Sequence, residues 1–216
     1  MKKRISILMF CLILLNPFSG DCRENNDDLI KKLMQIEEKM STIETLETQF
    51  VQTKDLSLFA QTIEIKGSLY LKKPSSFAWH IDVPLKQRIV LEDNMVTQWD
   101  EDTNQVQKIN LARNPSFSII TDQMKRWVSG SYLSLVDEYA IDIIQESPMK
   151  LRFTPLEKSM AFKMIKSIEI LFQEDEKYIK AIDISETNGD STKFKFFATD
   201  LNRKLKTQVW KVRPND

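Results

Sequence analysis

From Thr45 onward, apolar residues recur at every second position in short runs that continue to about Leu201. A period of two is the signature of a strand with one face buried and the other wet, so most of this chain must build a sheet. "TLETQFVQTKDLSL" reads as the first strand. "QTIEIKGSLYLKK" places Ile63, Ile65, Gly67, Leu69 and Leu71 on one face, with Glu64, Lys66, Ser68 and Tyr70 opposite. In "LKKPSSFAWHIDVP", Phe77, Trp79, Ile81 and Val83 share one parity, while Ala78, His80 and Asp82 take the other. "QRIVLED", "NMVTQWD" and "NQVQKINL" follow, separated by polar turns around Asp93-Asn94 and "DEDTN". Connections this short join antiparallel neighbours. The pattern resumes with "EYAIDIIQES", "MKLRFTPL", "IKSIEILFQ", "YIKAIDISE" and "STKFKFFATDL", and "QVWKV" is a candidate for the last strand. Asn188-Gly189 between two of these runs is a strong hairpin signal.

Two segments carry a helical period instead. "NNDDLIKKLMQIEEKM" aligns Leu29, Leu33, Ile36 and Met40 on one stripe, which Ile30 and Met34 widen. "NPSFSIITDQMKRWVSG" offers Asn114 as N-cap, Pro115 at the first helical position and Gly130 at the C-cap. Between those ends, Phe117, Ile120, Met124, Trp127 and Val128 form the apolar stripe. "SYLSLV" after it reads equally as strand or helix. Ten or eleven strands with two helices predict a mainly β (α+β) fold: one large, curved antiparallel sheet whose concave face the helices cover.

The N-terminus reads as an export signal. Lys2, Lys3 and Arg4 precede an apolar run from Ile5 to Leu15, too short to span a bilayer. Residues 1–22 are expected to be removed, giving a mature start near Arg23. A lipidated N-terminus at Cys22 is the competing reading, opposed by Asp21, since lipoprotein signals carry a small residue there. Cys11 falls inside the signal, so no internal disulfide is expected. The remaining residues, 23–216, suit one domain and hold 28 basic against 30 acidic side chains. With no basic block, nucleic acid is not an expected partner.

Catalytic chemistry is hard to assemble from what remains. Gly67, Gly130 and Gly189 are too few and too scattered for a phosphate loop or a dinucleotide fingerprint. One histidine, His80, falls on the face opposite Phe77 and Trp79, where a solvent-facing position is expected rather than a place in a triad. Zinc would need more His and Cys than one of each. No carboxylate spacing recommends a glycosidase pair. The expectation is a non-enzyme with no metal and no cofactor. The same-facing aromatics are either plain core or the wall of a cavity.

An ordered run of motifs resembles the LolA lipoprotein-carrier family of the Gram-negative periplasm. Phe50 and Gln52 match its Phe-x-Gln strand, Gly67 and Leu69 its Gly-x-Leu, and Lys73 and Pro74 its basic-Pro turn. Phe77 and Trp79 match its Phe-x-Trp strand before Pro84, and Trp99 and Asp100 its Trp before an Asp-containing turn. The match covers about residues 46–106. The resemblance implies an unclosed antiparallel half-barrel lidded by helices, with an apolar cavity between them. It further implies a periplasmic, monomeric carrier that takes acylated lipoproteins from an inner-membrane transporter and delivers them to an outer-membrane acceptor. A different lipid cargo, such as a glycolipid, and a lipid-sensing regulatory module are the alternatives. Relatives of the latter kind append a second domain, for which the residues after Trp210 leave no room.

On that resemblance the cavity wall is expected to comprise Phe50, Leu69, Leu71, Phe77, Trp79, Ile81 and Trp99, with Phe117, Ile120, Met124 and Trp127 from a lid helix over about 115–130. The family carries Arg before the Pro, bonded to the lid; here Lys73 stands there. Its ammonium lacks the planar fork, so the latch is expected to be weaker or differently placed.

Overall fold

In a computed structural model of the chain, residues 21–114, 126, 127 and 129–213 are described. Helix α1 spans Asp21–Ser41. Eleven strands follow: β1 Thr45–Leu56, β2 Gln61–Lys72, β3 Ser76–Val83, β4 Gln87–Glu92, β5 Met95–Asp100, β6 Val106–Asn110, β7 Tyr139–Glu146, β8 Met149–Pro155, β9 Ile165–Phe172, β10 Ile179–Glu186 and β11 Ser191–Leu201. They form a single antiparallel sheet in the order β6-β5-β4-β3-β2-β1-β11-β10-β9-β8-β7. Two meanders, β1–β6 and β7–β11, are therefore joined by the long β1–β11 pairing, in which Phe50 stands opposite Phe196. The first and last strands in the order do not pair, so the barrel stays open.

Strand positions follow the alternation closely. Two details depart from it. "QVWKV" is not a strand: Thr207–Trp210 form a 3₁₀ turn that lies across the outer face of the sheet and buries Val209. "SYLSLV" resolves as another 3₁₀ turn, Tyr132–Leu135, with Tyr132 and Leu135 fully buried. In β3 the parity breaks at its end, because a bulge lies between the Lys66–Val83 and Gly67–Ile81 pairs. Val83 leaves the apolar face there and is exposed.

Helix α1 buries Leu33, Ile36 and Met40 on the β7–β9 half of the concave face, against Leu151, Phe153, Ile170 and Phe172. Met34 does not widen that stripe; it is exposed. Trp127 joins this cluster edge-on to Phe153, with ring centroids 4.7 Å apart. Gly130 ends its segment as expected. Its φ is +84°, and the Ser131 N–H donates to the Arg126 carbonyl at 3.1 Å, the six-to-one bond of a Schellman cap. A side chain at 130 would place its Cβ 2.7 Å from the Met40 sulfur, so the glycine also lets this turn press against α1. The rest of the expected 115–130 helix lies outside the described residues, as does the signal segment before Asp21.

Candidate functional site

The second concave cluster lies on the β1–β6 half of the sheet. Phe50, Leu69, Phe77, Leu91, Val96 and Leu111 are buried there, and Leu71, Trp79, Ile81, Phe194 and Phe196 pack around them. Strand register explains the gathering. Trp79 pairs with Leu69 on one side and Ile89 on the other, so all three face the same way. Phe50 meets Trp79 edge-on at 4.9 Å, and Phe194 stands against Trp79 at 5.7 Å. Phe194 and Phe196 stack at 6.2 Å with their planes 5° apart. Trp79, Phe194 and Phe196 are only half-buried, so this aromatic wall keeps accessible surface.

Where α1 closes onto this wall, the fold leaves an apolar cavity of about 50 Å³, lined by Met40, Leu46, Leu69, Ile182 and Phe196 among others. That is room for a water or two at most, whereas ligand pockets run to roughly 300–1,000 Å³. The hollow itself is therefore too small for a ligand, while Trp79, Phe194 and Phe196 keep accessible surface. Another hollow, about 920 Å³, lies on the opposite face, beneath Trp210–Arg213. Glu92, Asp93, Lys108 and Arg213 share its lining with Val90, Met95, Val106 and Trp210, so it is a mixed surface and not an apolar one.

Lys73 sits at the end of α1. Its ammonium donates to the carbonyls of Met40 and Ser41 at 2.9 and 3.1 Å. Both carbonyls belong to the last helical turn, where a cation meets the negative end of the helix dipole; that of Met40 also accepts the Ile43 N–H at 3.2 Å. Partial burial lowers the affinity of the amine for its proton, and the Glu44 carboxylate opposes that. Three further contacts hold α1. Lys39 bridges Glu176 at 2.7 Å, the Leu133 N–H donates to the Glu37 carboxylate at 2.9 Å, and the Asn202 amide donates to the Thr42 carbonyl at 3.1 Å.

Of the expected wall residues, Phe50, Leu69, Leu71, Phe77, Trp79 and Ile81 come together as one cluster. Trp127 packs in the other cluster, under α1. Phe117, Ile120 and Met124 lie outside the described residues. Trp99 does not join the wall. It pairs with Arg88, which in turn pairs with His80, and all three face outward. Its indole N–H donates to the Asn104 side-chain oxygen at 3.0 Å. His80 also departs from expectation, because the C-terminal turn covers it and leaves it 9% exposed. Its Nε2 bonds the Val209 carbonyl at 2.9 Å, and Tyr70 stands edge-on at 5.0 Å. Burial, with Arg88 adding to it, pulls the imidazole pKa down to about 4, so it is neutral and donates that bond. Phe194 and Phe196 were not singled out from sequence, although the alternation in "KFKFFA" puts both on one face.

The comparisons with known proteins agree with this architecture. The family model described as "Outer membrane lipoprotein carrier protein LolA" matches residues 41–213. The chain belongs to that family. An outer-membrane lipoprotein carrier protein of Pseudomonas putida is 30% identical over 93 residues, 42% of this chain and 44% of the relative. The chain thus spans under half of that relative's length. One from Hahella chejuensis is 22% identical over 172 residues, 79% of this chain and 78% of the relative. Among solved structures, the MucA/MucB complex of Pseudomonas aeruginosa superposes with a TM-score of 0.55 at 12% identity, covering 86% of this chain and 61% of that one. That likeness is one of fold.

Proposed function

We propose that this protein is a periplasmic carrier, not an enzyme, that shields the acyl chains of lipoproteins between the inner and outer membranes. The observation that carries the reading is the accessible aromatic surface of Trp79, Phe194 and Phe196, backed by the buried Phe50, beside a helix whose C-terminal end is held through polar contacts. At about 0.8 kcal/mol per CH₂, a sixteen-carbon chain in water is disfavoured by on the order of 12 kcal/mol, which a wall of this kind offsets. The small apolar hollow beside Met40 fits a carrier in which loading moves α1, with cargo binding energy spent on that movement. Residues 1–22 act as the cleaved signal, 23–216 form one carrier domain, and an inner-membrane transporter and an outer-membrane acceptor are the expected exchange partners.

Native mass spectrometry of protein drawn from the periplasm tests this. Acyl-bearing adducts are expected, together with uptake of a fluorescent fatty acid. Absence of both would refute the carrier reading, and a glycolipid adduct would change the cargo class. A protein partner without lipid would favour the regulatory reading, for which the MucA/MucB complex supplies a precedent of fold.

A further inference from the structure

Exposed apolar side chains are concentrated at one end of the strands. Of the eleven large hydrophobics exposed among the described residues, eight fall in or beside the loops at that end: Leu58 and Phe59, Val83 and Leu85, Val136, and Met160, Phe162 and Met164. Leu58 is 84% exposed, Phe59 70% and Met160 71%, values that strand pairing or core packing cannot account for. Among the described residues, the opposite end, where Lys73 meets α1, shows no comparable group.

The loops presenting them are tied down. Ser57 donates its backbone N–H to Asp190 at 2.8 Å, which fixes the Leu58–Phe59 tip against the Asn188-Gly189 turn. Thr187 of that same turn donates its N–H to the Met164 carbonyl at 3.0 Å and its hydroxyl to the Lys163 carbonyl at 2.9 Å. Within the next loop, Phe162 N–H bonds the Ser159 carbonyl and Met164 N–H the Ala161 carbonyl. The Leu58–Phe59 tip and the 156–164 loop are thus braced through the polar Asn188-Gly189 turn, with their apolar side chains in water. A fold that secures the backbone and leaves such side chains outward presents them to something.

We propose that this end of the half-barrel docks on an anionic lipid surface, inserting Leu58, Phe59, Met160, Phe162 and Met164 at the headgroup boundary. Two features select a bilayer over a protein. The side chains stand on protruding tips rather than in a groove, and a deformable interface accepts protrusions at any spacing. Lys158, Lys163 and Lys166 are interspersed with the apolar residues of 156–166; Lys158 shares its charge with Asp137 at 3.8 Å, while Lys163 and Lys166, against Glu157, place cations where headgroup phosphates would be. This goes beyond the carrier reading and does not depend on it, since none of these residues lies on the aromatic wall.

Sedimentation of the mature chain with vesicles of phosphatidylethanolamine and phosphatidylglycerol provides the test. Wild type is expected to bind them, and a Phe59→Ser/Phe162→Ser variant to lose at least about tenfold in partitioning while still taking up fluorescent fatty acid in solution. Replacing Lys158, Lys163 and Lys166 with Ala should weaken binding by about fivefold per lysine on these vesicles and leave phosphatidylcholine binding unchanged. No association of wild type with pure-lipid vesicles, or equal binding by the serine variant, would overturn the proposal. So would association only with membranes that retain their proteins.

Discussion

Lys73 is the residue whose replacement most directly tests whether the end of α1 controls access to the site. Its ammonium holds the Met40 and Ser41 carbonyls, and the Met40 side chain lines the apolar cavity and rests on Gly130. Loosening the last turn of α1 should therefore open the cavity. A hydrogen bond from a charged donor contributes about 1.5–3 kcal/mol, and a cation at a helix C-terminus adds about 0.3–1. Solvent screening of a half-exposed side chain reduces the sum to roughly 1.5–2 kcal/mol. Lys73→Met keeps the aliphatic stem and removes the charge, so it should shift the opening of that turn by about ten- to thirtyfold. Amide exchange in residues 36–41 is the primary readout, and the rate of fluorescent fatty acid uptake the second. Both should rise, with exchange in β8 and β9 unchanged. Lys73→Arg should restore protection, because its fork can reach both carbonyls. Unchanged exchange in α1 for the Met variant would refute the latch, and faster exchange without faster uptake would separate α1 from cargo entry.

The aromatic wall gives a contrast between packing and binding. Phe50→Ala, at a fully buried position, should destabilise the fold by about 3–5 kcal/mol in urea unfolding. Trp79→Ala, half-buried, should instead weaken fatty acid affinity; unchanged affinity with a lowered Tm would make Trp79 plain core. His80 predicts an acid-sensitive step. Its folded pKa of about 4 lies below the unfolded value, so the unfolded chain binds the extra proton first. Stability should fall by about 3 kcal/mol as pH drops from 6.5 to 4, and His80→Gln should flatten that fall in pH-dependent unfolding. Gly67→Ala would set a Cβ 1.8 Å from the His80 carbonyl oxygen, and should prevent soluble expression or lower Tm steeply.

How much was legible from sequence depended on how local the cause was. Strands were readable because alternation is written residue by residue, and the Asn188-Gly189 and Gly130 signals sit at the turns they create. The wall was readable wherever parity within one strand sufficed, as for Phe77, Trp79 and Ile81. Trp99 was misplaced for want of one more step. The two-residue turn at Asp93-Asn94 sets Leu91 opposite Val96, and the same register puts Trp99 opposite Arg88. Since Ile89 faces with Trp79, Arg88 and Trp99 had to face away. His80 was beyond such reasoning. What buries it is the 207–210 turn, about 130 positions further along, whose placement no local pattern announces.

The two faces of β3 therefore serve different ends. Its inner aromatic Trp79 stays half-buried, and on the carrier reading that accessible surface is what a guest would cover. Its outer residues are more firmly packed: Ala78 is buried, His80 is closed over by the C-terminal turn, and Arg88 of the neighbouring strand pairs with Asp82 at 2.7 Å. On the carrier reading, that backing supports the inner wall, so that loading would move α1 before it distorted the strands. Lysine at position 73 fits that division. A single flexible ammonium on two helix-end carbonyls stabilises the closed form by an amount that a few buried methylenes of cargo can offset.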